Sequence, residues 1–438
     1  MRNFLFILAT AAIVASCSQT DSLKESYTPE EEIGFSTFTS KQTRGETIDE
    51  ASENNGSTTV NVLENYNTTF KVWGSKFIGS SNTESRVFGT DGTGDVVTYE
   101  SSNWTYSPKR FWDKSATSYS FYAAAPSGQS WTWNNSTKKL SLSNFVVSGT
   151  NRVTTVHGTG TSVFGVNTSV SADAVMSKDI EDLMISNDVT GYNTYTNTPV
   201  SLHFNHILSR LNIGVRKSSD LSTYTVKLKS IKVYNMAKQG NFNEGADLDG
   251  GNGVTYKNDQ NEDVNLTGDA ADAYILQHGT IGRWTASVPN TDGVSYVNND
   301  GLVVSSTTDY QYVYQGLVIP QAVAYNPTVE VNEYDNTVTN PAQFRLDGTD
   351  ATASANPYII IEYGIGQTAD NTYTELDSYK YYYNLADVFN GDATTAVNFC
   401  EGWQNTLKIT LAPVAITFDA DVYEWETKEN VAVNVPEN

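Results

Sequence analysis

Apolar and polar residues alternate in many short runs along the chain, and few runs repeat at helical spacing. Alternation with a period of two places successive side chains on opposite faces of a strand. Ile33, Phe35, Thr37 and Thr39 alternate with Gly34, Ser36, Phe38 and Ser40 and predict a short strand. Residues 68–73 predict a second, and residues 119–123 a third that stops at Pro126. The run 200–204 alternates and continues towards 211–215. Tyr224, Val226 and Leu228 share one parity and Ile231 and Val233 the other, so the switch at Lys229 and Ser230 predicts a β-bulge. Residues 317–319, 358–361 and 381–383 read as buried or half-buried strands. Loops rich in Gly, Asn, Asp, Ser and Thr separate these runs. Many short strands with such turns predict an all-β sandwich architecture. The best helical candidate is 172–184, and it is short.

The longest clean alternation lies near the C-terminal end. Val414, Ile416, Phe418, Ala420 and Val422 face one way, and Ala415, Thr417, Asp419, Asp421 and Tyr423 the other. A polar break follows Trp425, and then Val431, Val433 and Val435 alternate with Ala432 and Asn434. No repeat of 20–50 residues is evident. A change of composition over 187–199 suggests a domain boundary that divides the chain into comparable halves.

The 438 residues carry 26 Tyr, 17 Phe and 8 Trp, enough to bury a sizeable core. Lys and Arg total 27 against 50 Asp and Glu, a net charge of −23. Such a surface repels phosphate backbones and anionic lipid, which argues against a nucleic-acid partner. Two cysteines and four histidines leave no material for a disulfide framework or a His-built metal site.

At the N-terminus, Arg2 precedes an apolar run from Phe4 to Ala15 that is too short to span a bilayer and reads as a signal peptide. Ala15 and Ser16 before Cys17 look like a lipobox, which implies cleavage before Cys17 and its acylation; a plain signal peptide with an incidental cysteine is the alternative. Residues 18–32 read as a tether. After the first strand come Lys41, Thr43, Arg44 and Gly45 and then an acidic polar stretch, an accessible loop that an Arg-specific protease can nick. On spacing alone, Arg44 is equally an ordinary loop residue.

Catalytic signatures are absent: there is no nucleophile elbow, HExxH, phosphate loop or dinucleotide fingerprint. The expectation is therefore no enzyme, no cofactor and no metal. His203 and His206 fall on opposite faces of a strand and read as structural. Asp247, Asp249 and Asn252 resemble a fragment of a calcium loop, but a plain turn is the commoner reading. The aromatic-rich loops Trp104-Thr105-Tyr106 and Trp131-Thr132-Trp133 are of a type that stacks on sugars, with core or hairpin cross-strand packing the more usual role. Cys400, flanked by Phe399 and Trp403, reads as a small buried hydrophobe.

Taken in order, Cys17, the strand 33–39 with Thr43 and Arg44, Phe70-Lys71-Val72-Trp73-Gly74, and Phe111-Trp112 before 119–126 form one pattern. Asp182-Leu183-Met184, the run 200–211, Val318-Ile319-Pro320-Gln321, and Gly402-Trp403 with Ile416, Phe418, Val422 and Trp425 complete it. The chain resembles the fimbrillin family, the protease-matured type V pilins of Gram-negative gut and oral bacteria, over nearly its whole length. Asn405-Thr406-Leu407-Lys408 departs from the family, which often has an aromatic pair there. The resemblance implies two tandem transthyretin-like β-sandwich domains with few short helices. It divides the chain into a signal peptide (1–17), a propeptide with a removable strand (18–44), an N-terminal domain (45–198) and a C-terminal domain with a donor segment (199–438). It also implies an outer-membrane lipoprotein precursor, cut between Arg44 and Gly45 by an Arg-specific extracellular protease. The first strand then leaves, and the C-terminal segment of a neighbouring subunit fills its groove, building a head-to-tail fimbrium at the cell surface. The donor residues are expected among Val414, Ile416, Phe418, Ala420, Val422, Val431, Val433 and Val435. A pilus-tip adhesin with a host or bacterial surface ligand, and a surface glycan-binding lipoprotein, are the alternative expectations.

Overall fold

The computed structural model describes residues 31–39, 69–147, 182–186, 189–190, 199–245, 254–257, 263–266, 281–289, 294–323, 343–345, 357–390, 397–413 and 416–424. Cys17, Arg44, Gly45, the 247–252 turn, Val414, Val431, Val433 and Val435 lie outside them.

In the first half the strands are β1 (Phe35–Thr39), β2 (Thr69–Ile78), β3 (Thr83–Phe88), β4 (Asp95–Glu100), β5 (Asn103–Thr105) and β6 (Ala116–Ala125). There follow β7 (Thr132–Asn134), β8 (Lys139–Val146), β9 (Met184–Ser186), β10 (Val189–Thr190), β11 (Val200–His206) and β12 (Ser209–Lys217). Next come β13 (Thr225–Tyr234), β14 (Ala237–Asn243), β15 (Val254–Lys257), β16 (Asp263–Leu266), β17 (Trp284–Pro289), β18 (Val294–Val304) and β19 (Gln311–Val318). The last are β20 (Gln321–Val323), β21 (Gln343–Arg345), β22 (Tyr358–Ala369), β23 (Thr372–Asn384), β24 (Val397–Phe399), β25 (Trp403–Leu411) and β26 (Thr417–Glu424). One short helix, α1 (Leu385–Asn390), is present among the described residues. The protein is an all-β sandwich fold. The helix expected over 172–184 is corrected at its end, where Met184 opens β9 as a buried strand residue paired to β6 and β11.

Among the described residues, three cores organise the sheets. The first sheet runs β1-β11-β9-β6-β2-β4-β5, with β3 on β2 and β10 on β6. One face of it buries Phe70, Val72, Tyr119, Phe121 and Ala123. Its other face buries Trp73 and Ala124 against Trp133, Leu140, Leu142, Phe242 and Trp284 of the sheet β17-β14-β8-β7. β2 is thus buried on both sides, which accounts for its near-continuous apolar centre. The third core lies between β19-β12-β25-β26 and β18-β13-β22-β23-β21 and contains Leu211, Ile213, Val226, Leu228, Ile231, Val233, Tyr363 and Leu407. The predicted bulge is present: pairing of β13 with both β18 and β22 shifts between Leu228 and Ser230, so both parities reach one core.

The sheets do not divide where composition changes. β11 belongs to the first sheet, and β8 from the first half pairs with β14 from the second. The run from Val200 to Val215 is also two strands, not one. It breaks at Ile207 and Leu208, where the chain passes from the first sheet to the third core's sheet. Trp284 Nε1 donates to Ile207 O at 2.6 Å and Gly402 N donates to Leu208 O at 2.8 Å, so the crossover is held from both sides.

Gly89 shows how tightly the shared Trp73 is seated. Its φ is +64°, and a Cβ there would stand 2.5 Å from Trp73 Cδ1. Gly89→Ala is expected to cost on the order of 1–3 kcal/mol by chemical denaturation. Gly128→Ala, with nothing within 4 Å of its Cβ, is expected to be near neutral.

Candidate functional site

The site is the seam filled by residues 31–39. β1 stands at one end of the first sheet's path and β5 at the other. β1 runs parallel to β11, from Phe35 against Val200 to Thr39 against Phe204. Its other flank meets the opposite end of the same sheet. Trp104 Nε1, on β5, donates to Thr37 Oγ1 at 3.1 Å. Tyr106 donates its hydroxyl to Ile33 O at 2.6 Å, Ile33 N donates to Arg110 O at 2.9 Å, and Trp112 N donates to Glu31 O at 2.9 Å. The segment closes a sheet that has curled until its ends meet.

Alternation decides which side chains enter. Ile33, Phe35 and Thr37 are buried, whereas Gly34 and Ser36 are half-exposed. Phe35 carries most of the contact. Its ring lies edge-on to Phe70, Phe88, Tyr106 and Phe121 at centroid separations of 5.4–6.0 Å. Such pairs contribute about 0.5–1.5 kcal/mol each beyond area burial. Burying Phe35 and Ile33 adds roughly 1.5–3 kcal/mol apiece. The Glu32–Lys109 pair at 2.5 Å is 40% and 45% exposed and adds little. Burial pushes the Tyr106 hydroxyl well above its ordinary pKa, so it is a donor throughout the physiological range.

The other sequence candidates separate cleanly. Phe418 and Ala420 of the C-terminal alternation pack on the third core, and Ile416 is buried in it. β26 pairs with β25 along its length, from Trp403 against Glu424 to Thr410 against Thr417, at an edge of its own sheet. This alternation therefore lies within the chain's own fold and not in the seam. His203 is exposed and His206 buried, with His206 Nδ1 2.5 Å from Asp182 Oδ2. Trp131 and Trp133 are buried, Trp133 stacked on Trp73 at 5.9 Å, and Trp104 packs on Phe70 at 4.8 Å. Trp131 and Trp133 are core residues, and Trp104 packs against the first core from a half-buried position. Cys400 is half-buried, and burial together with the adjacent Glu401 pushes its thiol up to about 12, so it is neutral and unsuited to nucleophilic work. Among the described residues no group of three or more His, Cys, Asp or Glu side chains is arranged to hold a metal ion.

Sequence reasoning did not find the second flank of the seam. Trp104 and Tyr106 meet Thr37 and Ile33 of the 31–39 segment from 67 and 73 residues away. Their polar ends, set on otherwise apolar rings, were the available signal.

Comparison with known proteins found no matching family model and no match among curated proteins. Solved structures gave distant likenesses. A fimbrial protein from Bacteroides vulgatus is 14% identical, with a TM-score of 0.38, covering 90% of this chain and 99% of its own. A candidate cell adhesion protein from Bacteroides ovatus is 10% identical, with a TM-score of 0.41, covering 92% and 100%. A candidate adhesin from Bacteroides ovatus is 10% identical, with a TM-score of 0.30, covering 92% and 95%.

Proposed function

We propose that the protein is a subunit of a surface fimbrium with an adhesive role, assembled by strand exchange. The observation that carries this reading is the seam. A short N-terminal segment completes the first sheet and fills its aromatic core through Phe35, and it is joined to β2 through residues 40–68, which contain Arg44. A segment so placed can be severed without cutting any described strand. The precursor is acylated at Cys17 and held at the outer membrane. An Arg-specific extracellular protease cuts between Arg44 and Gly45, releasing the lipid anchor and β1 together. The opened seam presents unpaired backbone on β11 and apolar surface inside, which a strand from a neighbouring subunit covers. Addition is head-to-tail and does not close on itself, so it builds a fibre.

Two tail segments alternate suitably. Donating β26 would strip Ile416 and Phe418 from the third core, where Phe418 lies edge-on to Tyr383 at 4.6 Å. Because β26 is engaged in its own sheet, the later segment with Val431, Val433 and Val435 is the one we take for exchange.

Limited trypsin treatment of the full chain carrying Cys17→Ser tests the scheme. Protein that keeps Arg44 should be clipped first there, with Gly45 as the new N-terminus, and then form ladders on native gels. The double variant Lys41→Ala, Arg44→Ala, which leaves trypsin neither basic residue next to β1, should stay monomeric under the same treatment. Clipped protein that remains strictly monomeric would remove the mechanism.

A further inference from the structure

The seam's three inward pockets differ in what they read, and the difference bears on which strand can enter after β1. This inference rests on the exchange reading above. Tyr106 donates to the carbonyl of Ile33, a contact with backbone that any residue satisfies. The Phe35 pocket is bounded by four aromatic rings and is sized by an aromatic side chain. Trp104 donates its indole N–H to the Thr37 hydroxyl, a contact with a side chain. Without an acceptor there, the half-buried indole N–H loses its partner within the protein.

The chain's own C-terminal segments meet this requirement poorly. Val431, Val433 and Val435 offer three valines, with neither a ring for the central pocket nor a hydroxyl for Trp104, in either strand direction. Ile416, Phe418 and Ala420 supply the aliphatic and aromatic residues but no hydroxyl, and β26 is engaged in its own sheet.

We propose that the vacated seam ranks its donors and binds most tightly a β-segment, carried by a different subunit, that presents a branched aliphatic, an aromatic and a Ser or Thr at successive inward positions. Trp104 and the rings around Phe35 are the specificity-determining residues. The chain's own tail then enters as the weaker partner, sufficient for the ladders of clipped protein, and a subunit whose tail carries the pattern displaces it.

The test uses trypsin-clipped full-length protein with Cys17→Ser and fluorescent peptides read by anisotropy. The peptide copying residues 31–39 is expected to bind most tightly. Its Thr37→Val version, of the same shape, should bind about tenfold more weakly, and its Phe35→Val version about a hundredfold. The peptide copying 414–422 should resemble the Thr37→Val version, and that copying 429–437 should be weakest. In clipped Trp104→Phe protein, the difference between the 31–39 peptide and its Thr37→Val version should vanish while the Phe35→Val loss persists. Equal binding of the 31–39 and 429–437 peptides would overturn the selectivity and leave strand exchange standing. Failure of every peptide to enter, the 31–39 copy included, would show that the seam never opens and overturn the exchange reading itself.

Discussion

Arg283→Met is expected to lower the unfolding free energy by about 3–5 kcal/mol at pH 8 and by much less at pH 5. Arg283 lies in the turn before β17, and Glu401 lies in the turn before β25; both are buried. Arg283 Nε donates to Glu401 Oε2 at 2.9 Å and Nη2 donates to the same oxygen. The guanidinium also lies over Phe242 at 5.3 Å. Burial pushes the Glu401 carboxyl up from 4.5 to about 7, against the pull of Arg283. A carboxyl whose folded pKa is raised holds its proton in the folded chain after the unfolded chain has released it. Its stabilising contribution is therefore complete below pH 4.5 and lost as pH rises through about 7, by roughly 3 kcal/mol in all. Removing Arg283 removes the pull and leaves a buried anion with no counter-charge, so the loss deepens at alkaline pH. Near pH 5 the carboxyl is neutral with or without Arg283, and the penalty shrinks to lost packing. Glu401→Gln in the Arg283→Met background should recover most of the loss at pH 8. Urea unfolding at the two pH values measures this, and a penalty independent of pH would show that charge is not its cause.

The same pair marks where sequence reading ends. Arg283 and Glu401 are 118 residues apart, in turns with no periodicity, and nothing local announces their meeting. Strands, by contrast, were legible because period two reports burial directly. The parity switch at Lys229 and Ser230 located a bulge now seen against both neighbours of β13. The opposite faces of His203 and His206 followed from the same rule. Strand order did not follow, because alternation says which face is buried and is silent on the partner. The sheet joining β7 and β8 to β14 and β17 ties the halves together, although composition suggested a division between them. β26 reads as a free alternating strand, but its pairing with β25 is set by non-local contacts. The seam was half legible: Ile33, Phe35, Thr37 and Thr39 were read as one face of a strand, the structure buries the first three, and the rings that receive them were not anticipated.

Phe35→Ala should separate the seam's contribution from that of the rest of the fold. Truncation leaves a void among Phe70, Phe88, Tyr106 and Phe121, and a buried Phe→Ala change costs about 3–5 kcal/mol. The loss is local because Phe35 packs within the first core, whereas Tyr363 and Tyr379 stack at 5.2 Å in the third. Amide exchange in unclipped protein should therefore quicken in β2, β6 and β11 and stay unchanged in β22 and β23. β11 is the sharpest reporter, since β1 is its partner from Val200 to Phe204. The variant also bears on assembly. A strand that holds its slot less tightly leaves sooner once severed, so clipped Phe35→Ala protein should form ladders faster than clipped wild type. Ser36→Ala, on the half-exposed side of the same strand, should change neither exchange nor assembly. Uniform loss of protection across all sheets would mean that β1 supports the whole fold and is not a removable piece. Slower assembly despite a weakened β1 would mean that release of the strand is not the step that opens the groove.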